Sequence, residues 1–498
     1  MRSTAELTRF WATRRPLAPA TWFEGRTRTW AELDRLTTEL AAGLIDVLGV
    51  RPGERVAILD QNSDDYLALL YACDKAGAVA TPLNWRLTGR EVGLLAVDAE
   101  AVCVVAGDEF RAAADSAGVR VLGFDELPRV VGAPDPHRDD ESRVFWQLYT
   151  SGTTGLPKGA MITGHNLFST ISNFGIEMPE MRAGARCLVP MPLYHTGGCG
   201  WCTAVLLFGG TAVIMRDLEP ERVLRTIVEQ EVEVGFVVPS LLRAMTRTDY
   251  ARGADFSKLA AVIYGASPIA LPVLEEAIAT FACRFVQVYG LTETTGPITF
   301  LQHEDHRGDR LLSCGRASFG SELRIVDADG DELLPGEIGE IVYRGPGTIA
   351  GYWRRPDETA AAIRDGWLHT GDAGSEDADG YFYIKDRVKD MIVSGAENVY
   401  PAEIESVLSG HPGIADVAVI GVPDARWGEA VKAIAVRRPG ATGPAEAELI
   451  EWARARLAGY KLPRSVDFVD AIPRNPSGKV LKGELRERYW QGVARRVN

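Results

Sequence analysis

Three short apolar runs, RVAILD (55–60), AVATPL (78–83) and AVCVVAG (101–107), are separated by helical patterns such as DDYLALLYACDKAG. Runs this apolar and this rich in β-branched residues suit strands covered on both faces, and strands spaced by helix-length segments need crossover connections. That combination commits the chain to the α/β class, with parallel-type sheets and helices packed on them. The rhythm opens with a capping box at Thr29 and Glu32, followed by Leu33, Leu36, Leu40 and Leu44 at helical spacing, and runs to about residue 300. There the period changes. LRIVDADGDELLPGEIGEIVYRG alternates in period two around Asp329-Gly330, and DGYFYIKDR follows, which predicts an antiparallel, barrel-like subdomain. Beyond Arg387 the pattern is small α+β: a helix begun at Pro401, strands VAVIGV and VKAIAVRR, a helix through Leu449, Trp452 and Leu457, and a strand SVDFV. A large N-terminal domain over 1–386 and a small C-terminal domain over 387–498 are therefore expected.

Charge narrows the partners. The chain carries 54 basic and 68 acidic residues, a net charge of −14, which argues against non-specific nucleic-acid binding through phosphate neutralisation. Residues 387–498 hold 17 basic and 14 acidic residues, so a segment of +3 follows a body of −17. Either a polyanion sits between the two or this is ordinary surface variation. The N-terminal stretch lacks a continuous apolar core, and no uninterrupted apolar run approaches the ~20 residues that span a bilayer. The expectation is a cytoplasmic protein with no integral membrane segment. Seven cysteines are too few and too scattered for a disulfide framework. Cys199 and Cys202 form a CGWC, which reads as a redox pair or, without a thioredoxin-like context, as two small buried hydrophobes.

The stretch that carries most chemistry is FWQLYTSGTTGLPKGA, an apolar strand entering a loop of glycines, hydroxyls and one lysine. Glycines let backbone N–H groups approach anionic oxygens, the hydroxyls of Ser151, Thr153 and Thr154 add donors, and Lys158 adds a point charge. Pro157 before Lys158 and Gly159 after it do not fit the Gly-Lys-Ser/Thr of a Walker A loop.

YTSGTTGLPKG resembles the signature of the adenylate-forming superfamily: acyl-CoA synthetases, peptide-synthetase adenylation domains and firefly-type luciferases. Its later motifs follow in order: MPLYHTGG (191–198), YGASPI (264–269), VYGLTETTG (288–296), WLHTGD (367–372), YIKDRVKDMIVSGAENVYPAEIE (383–405) and PRNPSGKVLK (473–482). The resemblance spans about 30–498, and within the superfamily it is nearest to bacterial fatty-acid–CoA ligases. It implies ATP, Mg²⁺ and CoA as the small-molecule partners of a hydrophobic carboxylic acid.

It also implies roles. Thr150, Ser151, Gly152, Thr153, Thr154, Gly155 and Lys158 would hold phosphates, with Gly265, Ala266, Ser267, Gly290 and Tyr383 completing the ATP site. Tyr289 would offer an aromatic face to adenine, Thr292 a hydroxyl to the α-phosphate, and Glu293 a hard oxygen to Mg²⁺. Asp372 and Arg387 would take the ribose hydroxyls. Lys479 would bridge the acid's carboxylate and the α-phosphate, where charge develops. The small domain would swing about Lys389, after which Gly395 and Ala396 line a pantetheine tunnel.

The acyl pocket is expected among His195, Gly197, Gly198, Cys199, Tyr264, Gly265, Gly290, Gly296 and Pro297, without charge. No aspartate near His195 would hold an amino group, and Gly290 stands where acetate-restricted relatives carry tryptophan, so a pocket deeper than two carbons is expected. His195 positions the carboxylate, gates the pocket or is simply structural. The acid is read as a medium- or long-chain fatty acid, with an aryl or polycyclic acid as the alternative. Carrier-protein loading is a second reading, disfavoured because carrier-serving ligases often hold an insertion for which the length leaves little room. A luciferase is a third, disfavoured by a C-terminal RRVN unlike a peroxisomal address. Oligomeric state is open, a homodimer included.

Overall fold

The computed structural model describes residues 1–136, 140–150, 157–387, 390–394, 397–424, 426–438, 444–474 and 480–491. Four sheets organise them. The first, of six strands, runs in the order Arg120–Leu122, Ala101–Ala106, Arg55–Leu59, Val79–Pro82, Val144–Thr150, Lys158–Thr163. Its three expected runs are parallel neighbours, Arg55–Leu59 lying between the other two. The helix Asp64–Ala76 crosses between Arg55–Leu59 and Val79–Pro82; Ser63 caps it and Gly77 ends it at φ 78°. Only glycine takes that left-handed C-cap without strain.

The second sheet has nine strands. Six run parallel, in the order Arg284–Leu291, Ala261–Gly265, Val234–Val237, Arg186–Val189, Thr211–Ile214, Pro19–Phe23, with antiparallel strands at both edges. One large apolar core, including Trp30, Trp146 and Trp201, joins the two sheets through the helices between them. In open sheets of this kind ligands sit beyond the carboxyl ends of the parallel strands, because the connecting loops diverge there.

The predicted change of period at residue 300 is real. Strand Glu322–Val326 pairs antiparallel with Gly339–Arg344, which pairs with Trp367–Glu376, which pairs with Phe382–Arg387. The small C-terminal unit has helix Pro401–Ser409, a hairpin of Ile414–Asp424 and Gly428–Arg437, helix Glu446–Arg454 and a parallel edge strand Ser465–Phe468. The helix expected through Leu457 stops three residues short of it.

Candidate active site

The glycine-rich loop joins two antiparallel strands, in which Thr150 and Lys158 are register partners. The connection is strand to strand, unlike the strand-to-helix turn of a Walker loop. Ser151, Gly152, Thr153, Thr154 and Gly155 lie outside the described residues. From the rim of this hairpin Thr150 Oγ1 donates to Glu293 Oε1 at 3.3 Å. Glu293 follows strand Arg284–Leu291 in a short turn, Thr292–Thr294, which the Thr294 hydroxyl closes by accepting from the Leu291 N–H at 2.8 Å. Thr295 then takes φ 57° and bonds the Gly347 carbonyl at 2.7 Å, so the turn presenting Thr292 and Glu293 is fixed at both ends.

A residue absent from the sequence reading joins this cluster. Tyr352 donates to the same Glu293 Oε1 at 2.8 Å, and Lys158 Nζ lies 5.1 Å from the centre of its ring. Glu293 Oε2 has no hydrogen-bond partner among the described residues. One hard carboxylate oxygen beside a phosphate loop fits Mg²⁺, which is usually held by one or two carboxylates together with substrate phosphates. No cluster of three His, Cys, Asp or Glu occurs among the described residues, so a closed all-protein cage is not the arrangement.

Asp372 and Arg387 face each other across adjacent strands. Arg387 Nε meets Asp372 Oδ1 at 2.6 Å, and Tyr289 donates to Oδ2 at 2.8 Å. Burial disfavours the guanidinium's charge, but Asp372, Tyr289 and Glu293 outweigh it and hold its pKa above the ordinary value. Arg387 is thus ion-paired with Asp372 and feels the charge of Glu293 without touching it. Tyr289 departs from expectation. Its ring is 8% exposed and packs with Ile298, Cys314 and Phe382, so its main contact with the site is the hydroxyl on Asp372 rather than an open aromatic face. Tyr383 is displaced as well: it lies four residues before Arg387, roughly 13 Å along the strand, and its hydroxyl bonds Asp377 at 3.0 Å in the hairpin turn.

The expected acyl wall divides in two. His195, Gly197, Gly290, Gly296 and Pro297 keep partial exposure, whereas Gly198, Cys199, Tyr264 and Gly265 are buried. Tyr264 is wholly enclosed, with its hydroxyl 3.1 Å from Gln287 Oε1 and 3.0 Å from His306 Nε2. A side chain with no accessible surface borders no cavity, so Tyr264 and Cys199 belong to the core. Cys199 and Cys202 are both buried free thiols whose pKa burial drives upward, as expected of small hydrophobes. Gly290 needs a different account too: a Cβ there would overlap the Gly296 carbonyl, so this glycine lets two strands approach at a bulge rather than deepening a pocket. Gly198 and Gly265 are likewise crowded by backbone. Only at Gly197 does a Cβ meet ordinary space, 3.8 Å from Phe236.

His195 is the N-cap of helix Thr196–Leu207, and its buried Nε2 has no partner. Burial, aided by the nearby Arg86 charge, pushes the imidazole down to about 4. Phe236, the nearest side chain to Gly197, packs edge-on against the buried Trp201 at 6.0 Å, and Phe174 meets Trp201 at 5.2 Å and Phe300 at 5.5 Å. The Trp201 indole donates to the Leu188 carbonyl at 2.8 Å, which fixes it.

After strand Ala261–Gly265, Ala266 adopts φ 65° and is exposed, with Ser267 half-buried after it. Lys389, Gly395, Ala396 and Lys479 lie outside the described residues. The described residues on either side of Lys389, Asp386 and Asp390, are ion-paired. Arg486 pairs with Asp390 at 2.7 Å, and Lys482 with Glu405 at 3.0 Å and Asp386 at 3.6 Å.

Two family models match, the AMP-binding enzyme model over residues 8–353 and the AMP-binding enzyme C-terminal domain over 403–479. The chain is 39% identical to a fatty acid–[acyl-carrier-protein] ligase of Streptomyces coeruleorubidus, covering 100% of this chain and 98% of that protein. It is 41% identical to a feruloyl-CoA synthase of a Streptomyces species, covering 96% and 98%. Among solved structures it resembles the o-succinylbenzoate CoA synthetase of Bacillus subtilis with its acyl-adenylate intermediate, at TM-score 0.88 and 31% identity over 97% of this chain and 98% of that one. The first relative corrects one argument: a carrier-serving ligase aligns end to end with this chain, so length does not separate carrier loading from CoA ligation. No helix of the described residues is long and apolar enough to cross a membrane.

Proposed function

The chain belongs to the AMP-binding enzyme family, and from that premise we propose that it activates a hydrophobic carboxylic acid with ATP and transfers the acyl group to CoA. The observation that supports this most is the pair of held carboxylates: Glu293 bonded by Thr150 at the rim of the glycine-rich hairpin, and the buried Asp372 paired with Arg387 and bonded by Tyr289. In the first step the acid's carboxylate oxygen attacks the α-phosphorus, the bond to pyrophosphate breaks, and pyrophosphate leaves. Two anions must meet, so cations have to offset their repulsion. Lys158 lies on the loop side, Arg387 on the ribose side, and Lys479 is assigned to the reacting carboxylate and α-phosphate. Glu293 is assigned to Mg²⁺, which would supply charge neutralisation on the phosphates. In the second step the CoA thiolate attacks the acyl carbonyl and AMP leaves, with the thiol proton passing to water. The domain division at residue 387, the swing about Lys389 and the tunnel at Gly395 and Ala396 belong to this reading.

For the acid, Phe236, 3.8 Å from where a Cβ on Gly197 would lie and backed by the buried Trp201, favours a short, flat aryl or aryl-substituted acid over a long straight tail. A rigid aromatic floor leaves little depth and offers edge and face contacts to a ring. The feruloyl-CoA synthase relative agrees with this. Mass spectrometry of products from protein, ATP, Mg²⁺, CoA and a mixed panel of aryl and fatty acids tests both levels. AMP with aryl-CoA is expected. Fatty acyl-CoA alone would overturn the substrate class, and acyl-AMP persisting whether or not CoA is present would turn the search to a carrier protein, as the fatty acid–carrier ligase relative suggests.

A further inference from the structure

Tyr352 lies outside every motif by which the site was first recognised, yet it contacts both halves of the phosphate side. The segment around it is laid along strand Lys158–Thr163: Ala350 donates to the Met161 carbonyl at 3.0 Å, Met161 to the Gly351 carbonyl at 2.9 Å, and Trp353 to the Gly159 carbonyl at 2.8 Å. Gly351 sits at φ 132° and a Cβ there would press on Thr359, so glycine is needed where the strap turns. Beyond it the strap is fastened to helix Gly89–Asp98. The Trp353 indole donates to the Asp98 carbonyl at 3.0 Å, and Arg355 pairs with the Asp98 carboxylate at 2.6 Å. The Tyr352 N–H is satisfied by Thr359 Oγ1 at 2.9 Å. The phenol is therefore held from both sides before it reaches Glu293.

We propose that Tyr352 is a positioning residue for adenylate formation, aiming Glu293 by a hydrogen bond to Oε1 while its ring supports Lys158. This rests on the assignment of Glu293 as the metal-facing carboxylate. With Tyr352 and Thr150 both bonded to Oε1, the carboxylate is left with Oε2 as its open oxygen. Hydrogen-bond partners of a metal ligand fix the ligand's orientation, and their loss typically weakens metal binding by about 10- to 100-fold.

Tyr352→Phe tests this, since it keeps the ring beneath Lys158 and the packing of the strap. Two readouts are compared with the parent: Mn²⁺ binding to the protein–ATP complex by electron paramagnetic resonance, and the Mg²⁺ dependence of acyl-AMP formation. The expected result is metal binding about 10-fold weaker or more, with the Mg²⁺ midpoint moved upward and the rate largely recovered at saturating Mg²⁺. A purely structural role for the hydroxyl would lower the rate at every Mg²⁺ concentration, and that result, or parental metal binding, overturns the proposal. Glu293→Gln is run alongside. If it too binds Mn²⁺ as the parent does, the metal assignment of Glu293 fails, and the role of Tyr352 with it.

Discussion

Around Glu293 and Asp372 each functional side chain is held by a hydrogen bond from a different segment, whereas around His195 the walls are held by packing. The proposed nucleotide side draws Thr150, Tyr289, Tyr352 and Arg387 from four stretches of chain, and their bonds to the two carboxylates measure 2.6–3.3 Å. The acid side has one imidazole with an orphaned nitrogen, a glycine, and a chain of edge-on aromatic contacts. The difference follows from what each side must do. A triphosphate is the same in every turnover and rewards fixed charges and donors, which cost no reorganisation when charge develops. An acid is recognised by shape, and shape is set by which side chains fill the space behind the carboxylate.

Removing Asp372 should break the nucleotide side most completely. Asp372→Ala leaves the Arg387 guanidinium without its partner and the Tyr289 hydroxyl without its acceptor. Loss of one member of a buried pair costs about 3–5 kcal/mol, and because Arg387 keeps 31% side-chain exposure the stability loss should fall at about 2–3 kcal/mol. Acyl-AMP formation, read by pyrophosphate release, should fall by about 100-fold or more, mostly through weaker ATP binding. Parental ATP affinity in a folded Asp372→Ala protein would show that the ribose is bound elsewhere.

The same contrast governs what was legible beforehand. Thr292, Glu293, Asp372 and Arg387 could be singled out as candidates because chemistry on a constant ligand demands particular residue types at particular places in a motif. The parallel strands were legible from their near-continuous apolar runs, and the hairpin of Glu322–Val326 with Gly339–Arg344 from its period of two. Tyr352 was hidden because its role arises from a long-range pairing of residues 350–353 with strand Lys158–Thr163, which no local pattern announces. Tyr264 and Gly290 were misplaced for a related reason. Which face of a strand a residue presents depends on its register with neighbours, so Tyr264 entered the core and Gly290 a strand bulge. Trp201 and Phe236, on separate elements, gave no sign of meeting.

A second substitution sharpens the comparison by acting on the acid side alone. Trp201→Leu removes the indole that backs Phe236 and its bond to the Leu188 carbonyl. Stability should fall by about 2–4 kcal/mol, within the range for large-to-small changes at a buried aromatic. Deepening the floor should shift the kcat/KM ratio of long-tailed over aryl acids upward by about 10-fold, the scale of one or two methylenes in an apolar pocket. ATP and Mg²⁺ dependences should match the parent's. An unchanged acid preference in a folded variant would mean that the acyl chain does not run past Gly197.

The smallest expected effect concerns His195, the one titratable group on the acid side. Its imidazole is held down to about 4 by burial and by Arg86, against about 6.5 in an unfolded chain. Between those values the unfolded state binds a proton that the folded state refuses, so stability is full above pH 6.5 and is lost as pH falls toward 4. From pH 7 to 5 this one group should cost about 2 kcal/mol. His195→Gln should flatten that part of the urea-midpoint profile relative to the parent, and identical pH slopes would show that the imidazole is not the group responsible. Activity carries the companion expectation. A neutral His195 at pH 6–8 can orient a carboxylate by donating a ring N–H hydrogen bond to it but adds no cation, so the rate profile should lack a limb near 6.5. A limb there that disappears in His195→Gln would mean that the bound acid raises the imidazole's pKa, making it a charge partner of the carboxylate.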